Sequence, residues 1–174
     1  MIKLSEPGLL EGIRKEGCAF LCDLSIAENV LSNISPTEPG LSVNEINSAY
    51  LYAAGVFLKH VHTDKTPACY VWDHEEVIRI GLYLVGFRNH RVRYRYRKDG
   101  DLLVIGQYAD VMKCNYFIKQ IRVPSSGETH FIRCDIQGNT LYNPGVTDSD
   151  RWESFRGFSV SVQHEDLDGF LIWS

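Results

Sequence analysis

Apolar positions recur so densely after Cys18, at Ala19, Phe20, Leu21, Leu24, Ile26, Ala27, Val30 and Leu31, that they predict a helix buried around most of its circumference. It stops before Ser35-Pro36, and a loop runs on through Gly40. Upstream, residues 4–15 hold Pro7-Gly8 and Gly12 and read as irregular chain with at most one helical turn. A second helix starts at Ser42-Val43-Asn44-Glu45. There the serine hydroxyl and the glutamate carboxylate each satisfy a first-turn amide, as in a capping box. Ile46, Ala49, Tyr50, Ala53 and Ala54 give this helix its apolar stripe, and Gly55 marks its end. Asp73 caps a third helix, with Glu76 three places on and Val77, Ile78, Ile80, Gly81, Leu82 and Leu84 behind it.

After Gly86 the period changes to two. Alternating and β-rich runs at 88–97, 102–105, 116–123, 130–136 and 140–142 predict strands, and 158–162 and 169–173 predict short closing strands. Asp99-Gly100, Pro124-Ser125-Ser126-Gly127 and Gln137-Gly138-Asn139 are turn signals that would join neighbouring runs as antiparallel hairpins. Residues 147–157, rich in Asp, Ser and Arg, read as a surface loop. Helices first and strands later imply an α+β fold, with N-terminal helices packed on a C-terminal antiparallel sheet.

Composition narrows the picture. A chain of 174 residues buries a sizeable core as one domain, 1–174, with no repeat and no low-complexity stretch. The five cysteines, at 18, 22, 69, 114 and 134, form no regular framework, which favours free thiols in a reducing, cytoplasmic setting. The first residues lack the apolar run of a secretory signal, and no segment approaches the roughly 18 apolar residues of a membrane span, so no membrane partner is expected. A net charge of −4 gives no global pull toward nucleic acid.

Three residues stand where thiol chemistry would need them. Cys18 follows Gly17 at the start of the most apolar helix, and a helix N-terminus favours the thiolate, which is the nucleophilic form. His130 enters a strand from a tight turn, and the hairpin returns through Leu141-Tyr142 to Asn143-Pro144. That return places a carboxamide oxygen beside the ring to fix its tautomer. The Cys18 amide would supply part of an oxyanion hole, with Arg14 the nearby side-chain donor.

The order and dressing of these segments resemble the papain-like cysteine peptidases, and more narrowly their C39-like branch. There a cysteine opens a central helix, and a His-Phe-Val strand precedes a hairpin ending in Asp-Pro or Asn-Pro. Cys18, His130-Phe131-Ile132 and Asn143-Pro144 match that pattern, and the segment Leu41-Ser42-Val43-Asn44-Glu45-Ile46-Asn47 is similar to the second helix of the group. The resemblance implies a papain-like single domain and a Cys18-His130-Asn143 hydrolase acting on a peptide or protein substrate without a cofactor. Members carry a glutamine about six residues before the cysteine and Gly-Pro after it, whereas this chain has Gly12 and Ala19-Phe20. That departure keeps a second reading open, a catalytically inactive binding protein on the same scaffold.

Other patterns compete for attention. In 90–97, Arg91, Arg93, Arg95 and Arg97 share one strand face, while Val92, Tyr94 and Tyr96 share the other. Such a row suits an anionic ligand or partner, but an exposed strand whose arginines discourage edge pairing is the favoured reading. Nucleic acid is the less expected partner, because the aromatic rings turn toward the core. Cys22 shares a helix face with Cys18, a spacing for a metal or a redox pair, but no further ligands complete a set. His60 and His62, with His74, are the histidines a transition metal would use, yet no carboxylate or cysteine stands at a suitable spacing. Solvated histidines are the expectation.

Overall fold

The computed structural model of the chain describes residues 17–56, 70–88, 90–97, 116–122, 127–135, 137–144, 153–165 and 171–173, together with 13 and 125. Three α-helices, α1 (Cys18–Ile34), α2 (Val43–Leu51) and α3 (His74–Leu84), precede six strands. The strands are β1 (His90–Arg97), β2 (Tyr116–Arg122), β3 (Thr129–Cys134), β4 (Thr140–Tyr142), β5 (Glu153–Glu165) and β6 (Leu171–Trp173). The fold is α+β with an antiparallel sheet ordered β1-β5-β2-β3-β4, and β6 pairs with the far end of β5. Among the described residues no helix is long and apolar enough to cross a membrane.

The helix starts follow from local chemistry. Ser42 Oγ accepts from the Glu45 amide at 3.3 Å, and the Glu45 carboxylate accepts from the Ser42 amide at 2.6 Å. Asp73 Oδ1 accepts from the Glu76 amide at 3.0 Å. At its far end α2 does not stop at Gly55 but widens into a π-helical turn, Tyr52–Val56. Helix α1 is buried along nearly its whole length, and Phe20, Leu24, Ile26 and Val30 form the core with Val77, Ile78 and Leu82 of α3. Gly81 lets the two helices close up, since a Cβ there would lie 3.0 Å from both Ala27 Cβ and Leu24 Cδ2. The sheet contributes Val92, Tyr116, Ile118, Val160 and Val162 to the same core.

Three polar side chains are buried within α1, and each has an anchor. Ser25 Oγ donates to the Cys22 carbonyl at 2.7 Å. Glu28 accepts the Leu41 amide at 2.9 Å, which pins the end of the α1–α2 loop. Asp23 meets His74 Nδ1 at 2.7 Å and so ties α1 to the first turn of α3.

One expectation for the sheet is corrected. The polar stretch 147–157 is not all loop: its described part, Glu153 to Gly157, belongs to β5, and residues 147–152 lie outside the described residues. Strand β5 sits between β1 and β2, and Gly157 stands opposite Arg97 on one side and Lys119 on the other. Pairing with β2 from Glu153 onward, joined by β1 at Gly157, engages its backbone, so its polar composition does not make it a loop. The strand beside β1 is likewise β5, from the other end of the chain, while the expected run at 102–105 and the Asp99-Gly100 turn lie outside the described residues. The β2–β3 and β3–β4 hairpins form as their turn residues require, with Gly127 and Gly138 at φ 71° and 87°.

Candidate active site

Strand β3 alternates its side chains cleanly. His130, Ile132 and Cys134 are buried on one face, whereas Phe131 packs against the helical core from the other. Helix α1 lies against this strand. The Arg133 guanidinium, lowered in pKa by burial, interacts with Cys22 and Glu28 of α1, and the Phe131 ring lies 6.4 Å from that of His74.

The β3–β4 turn sets where Asn143 falls. Asp135 Oδ1 accepts the amides of Gln137 and Asn139 at 2.9 and 2.8 Å, and its Oδ2 accepts Asn139 Nδ2 at 2.8 Å. These bonds hold the exposed Asp135 carboxyl below its usual range. The returning strand then pairs Tyr142 with Arg133, which puts the next residue, Asn143, within reach of His130. The contact is direct: His130 Nε2 and Asn143 Oδ1 are 2.8 Å apart. A carboxamide oxygen only accepts, so Nε2 carries the proton and the basic lone pair belongs to Nδ1. Burial lowers the His130 pKa, partly offset by the Asn143 bond and the Glu128 carboxylate, so the ring is biased toward its neutral, proton-accepting form.

Cys18 is the first residue of α1, a half-buried cysteine preceded by the N-cap Gly17. Gly17 is required by a close approach, because its amide donates to the Ile13 carbonyl at 2.7 Å and a Cβ would lie 2.4 Å from that oxygen. Among the described residues no side chain caps this helix, and a helix N-terminal end favours an anion. The other described thiols are of a different kind: burial pushes Cys22 well up and Cys134 up to about 11.

The remaining candidates sort as follows. Arg14, His60 and His62 lie outside the described residues. Arg91 and Arg93 are exposed on β1, and Arg95 and Arg97 follow at the same alternating positions of that strand. The expectation of a solvated His74 is corrected. Its Nδ1 is engaged by the wholly buried Asp23, and its ring stacks on Tyr94 with centroids 4.3 Å apart. No group of metal-ligating side chains occurs among the described residues. Two positioning residues escaped the sequence reading. Asp135 was detectable as an Asx residue before a glycine turn, but Asp23, midway along an apolar helix, gave no local signal. No protein-family model, curated protein or solved structure matches the chain.

Proposed function

We propose that this protein is a thiol hydrolase of papain-like, C39-like type that cleaves a peptide or related amide bond. The observation that carries the reading is the 2.8 Å bond from His130 Nε2 to Asn143, which orients a neutral imidazole with its base nitrogen on the opposite side of the ring. Cys18 attacks the carbonyl carbon after its proton passes to His130, and the resulting oxyanion is met by first-turn amides of α1. The tetrahedral adduct collapses to a thioester as the imidazolium protonates the leaving amine. Water, deprotonated by the same ring, then releases the acid and restores the thiol. The first turn at Cys18, which no side chain caps among the described residues, supports the thiolate half of this arrangement.

The test is site-resolved alkylation of the native protein by iodoacetamide from about pH 5 to 8, read by mass spectrometry. Cys18 is expected to react faster than a free thiol below neutrality, and His130→Ala to slow it about tenfold or more. Cys22 and Cys134 serve as internal controls that stay slow. Reaction of Cys18 at the rate of an unfolded thiol, unchanged in His130→Ala, refutes the proposal.

The exposure of Arg91 and Arg93 supports a second reading, an inactive scaffold that engages an anionic partner. In that case alkylation shows no enhancement, and an interaction lost at high salt disappears on charge reversal of these arginines.

A further inference from the structure

Away from the thiol helix, the C-terminal half of α3 borders a cleft of about 290 Å3. Ile80, Leu84 and Phe87 give it apolar walls, the rings of Tyr52 and Tyr83 stand at its rim, and Arg88 and His90 line it from the segment entering β1. Tyr52 and Tyr83 are more than half exposed.

The two arginines of the cleft differ in a telling way. Arg79 is neutralised within its own helix by Glu75 and Glu76. Arg88 makes no ion pair among the described residues, and its guanidinium lies over the Tyr83 ring, 5.5 Å from the centroid. Glu76 also lines the cleft and its carboxylate is held by Arg79, so the cleft combines apolar and aromatic walls with one guanidinium, that of Arg88, in no ion pair among the described residues. That is the makeup of a site for an apolar body with an anionic head. Its volume is at the lower bound for ligand clefts, roughly 300 Å3, so the body is about one ring in size. The walls favour an aromatic ring over a flexible chain, since Phe87 and His90 already meet edge to face at 5.4 Å and leave ring faces and edges for a third partner.

We propose that this cleft is a binding site for a small aromatic carboxylate, with the ring between Ile80, Leu84 and Phe87 and the carboxylate on Arg88. The site is independent of the Cys18 chemistry. Calorimetric titration of the full chain with 3-phenylpropionate tests it, with the neutral analogue 3-phenylpropanol as control. For a ligand of this size the expected Kd is about 1 mM or tighter. The alcohol is expected to bind about tenfold more weakly, and Arg88→Gln to erase the difference by weakening only the acid. Leu84→Trp, which fills the cleft, is expected to abolish binding of both. Circular dichroism of each variant checks that it is folded, and Arg88 lies outside the helices and strands, where glutamine is readily accommodated. No heat with the acid up to about 10 mM overturns the proposal. Equal affinity for acid and alcohol, or Arg88→Gln binding the acid as the native protein does, overturns it as well.

Discussion

The imidazole of His130 is pulled in two directions, down in proton affinity by burial and up by the Asn143 amide and the Glu128 carboxylate, with burial the stronger. Asn143→Ala removes an upward pull, so the ring is expected to titrate lower still; a proton NMR titration of the ring resonances checks this, and a higher midpoint would contradict it. The linkage has a definite sign. The folded value lies below the 6.5 of the unfolded chain, so this histidine's contribution is fully present above about pH 6.5 and is lost as pH falls through the folded value. Gly17 makes a second residue-scale case. With Ile13 O only 2.4 Å from where a Cβ would stand, Gly17→Ala must shift backbone, at an expected cost of about 1–3 kcal/mol in urea unfolding. Both residues were visible in sequence, the histidine by its strand-opening position and the glycine by its place before the cysteine. The 2.8 Å contact itself depends on hairpin register, which the Asp135 turn sets.

Helices announced themselves at their first turns because capping is a conversation among four consecutive residues. Ser42→Ala removes the acceptor for the Glu45 amide and is expected to cost about 1 kcal/mol, measured by the urea midpoint, and Asp73→Ala a similar amount. Strands were legible to the extent that their pattern was local. The β3–β4 hairpin followed from alternation and turn residues, and β4 fell on 140–142 as expected. Strand β5 did not follow, since Glu153 to Arg156 take their strand geometry from β2 alone and β1 joins only at Gly157, and both partners are distant in sequence.

Across the molecule, the Asp23–His74 pair joins α1 to α3 at the point where Tyr94 of β1 and Phe131 of β3 also converge. Asp23 is wholly buried, and burial raises its pKa against the pull of His74; its second oxygen, Oδ1, has no hydrogen-bond partner among the described residues. Replacing its partner, as in His74→Phe, strands a carboxylate in the core and is expected to cost about 3 kcal/mol at neutral pH. Because the folded pKa of Asp23 lies above its unfolded value, the folded state takes up a proton first, and the cost relative to the native protein shrinks as pH falls through that folded value. Urea unfolding of both proteins at neutral and mildly acidic pH checks this. A cost independent of pH would show that Asp23 is not the group responsible.

What the sequence alone determined was the order of helices and strands, the capping of α2 and α3, and a histidine and an asparagine at the two ends of one hairpin. All of these depend on residues close together along the chain, where backbone geometry and hydrogen bonding within a few positions decide the outcome. The tertiary structure alone decided that β5 would lie between β1 and β2, that Asp23 would find its partner in His74, and that Arg88 would be left above an apolar cleft. The first two are meetings of segments far apart in sequence, selected by which faces must be buried together and which charges must be matched, and the cleft closes only where Tyr52 meets residues 76–90.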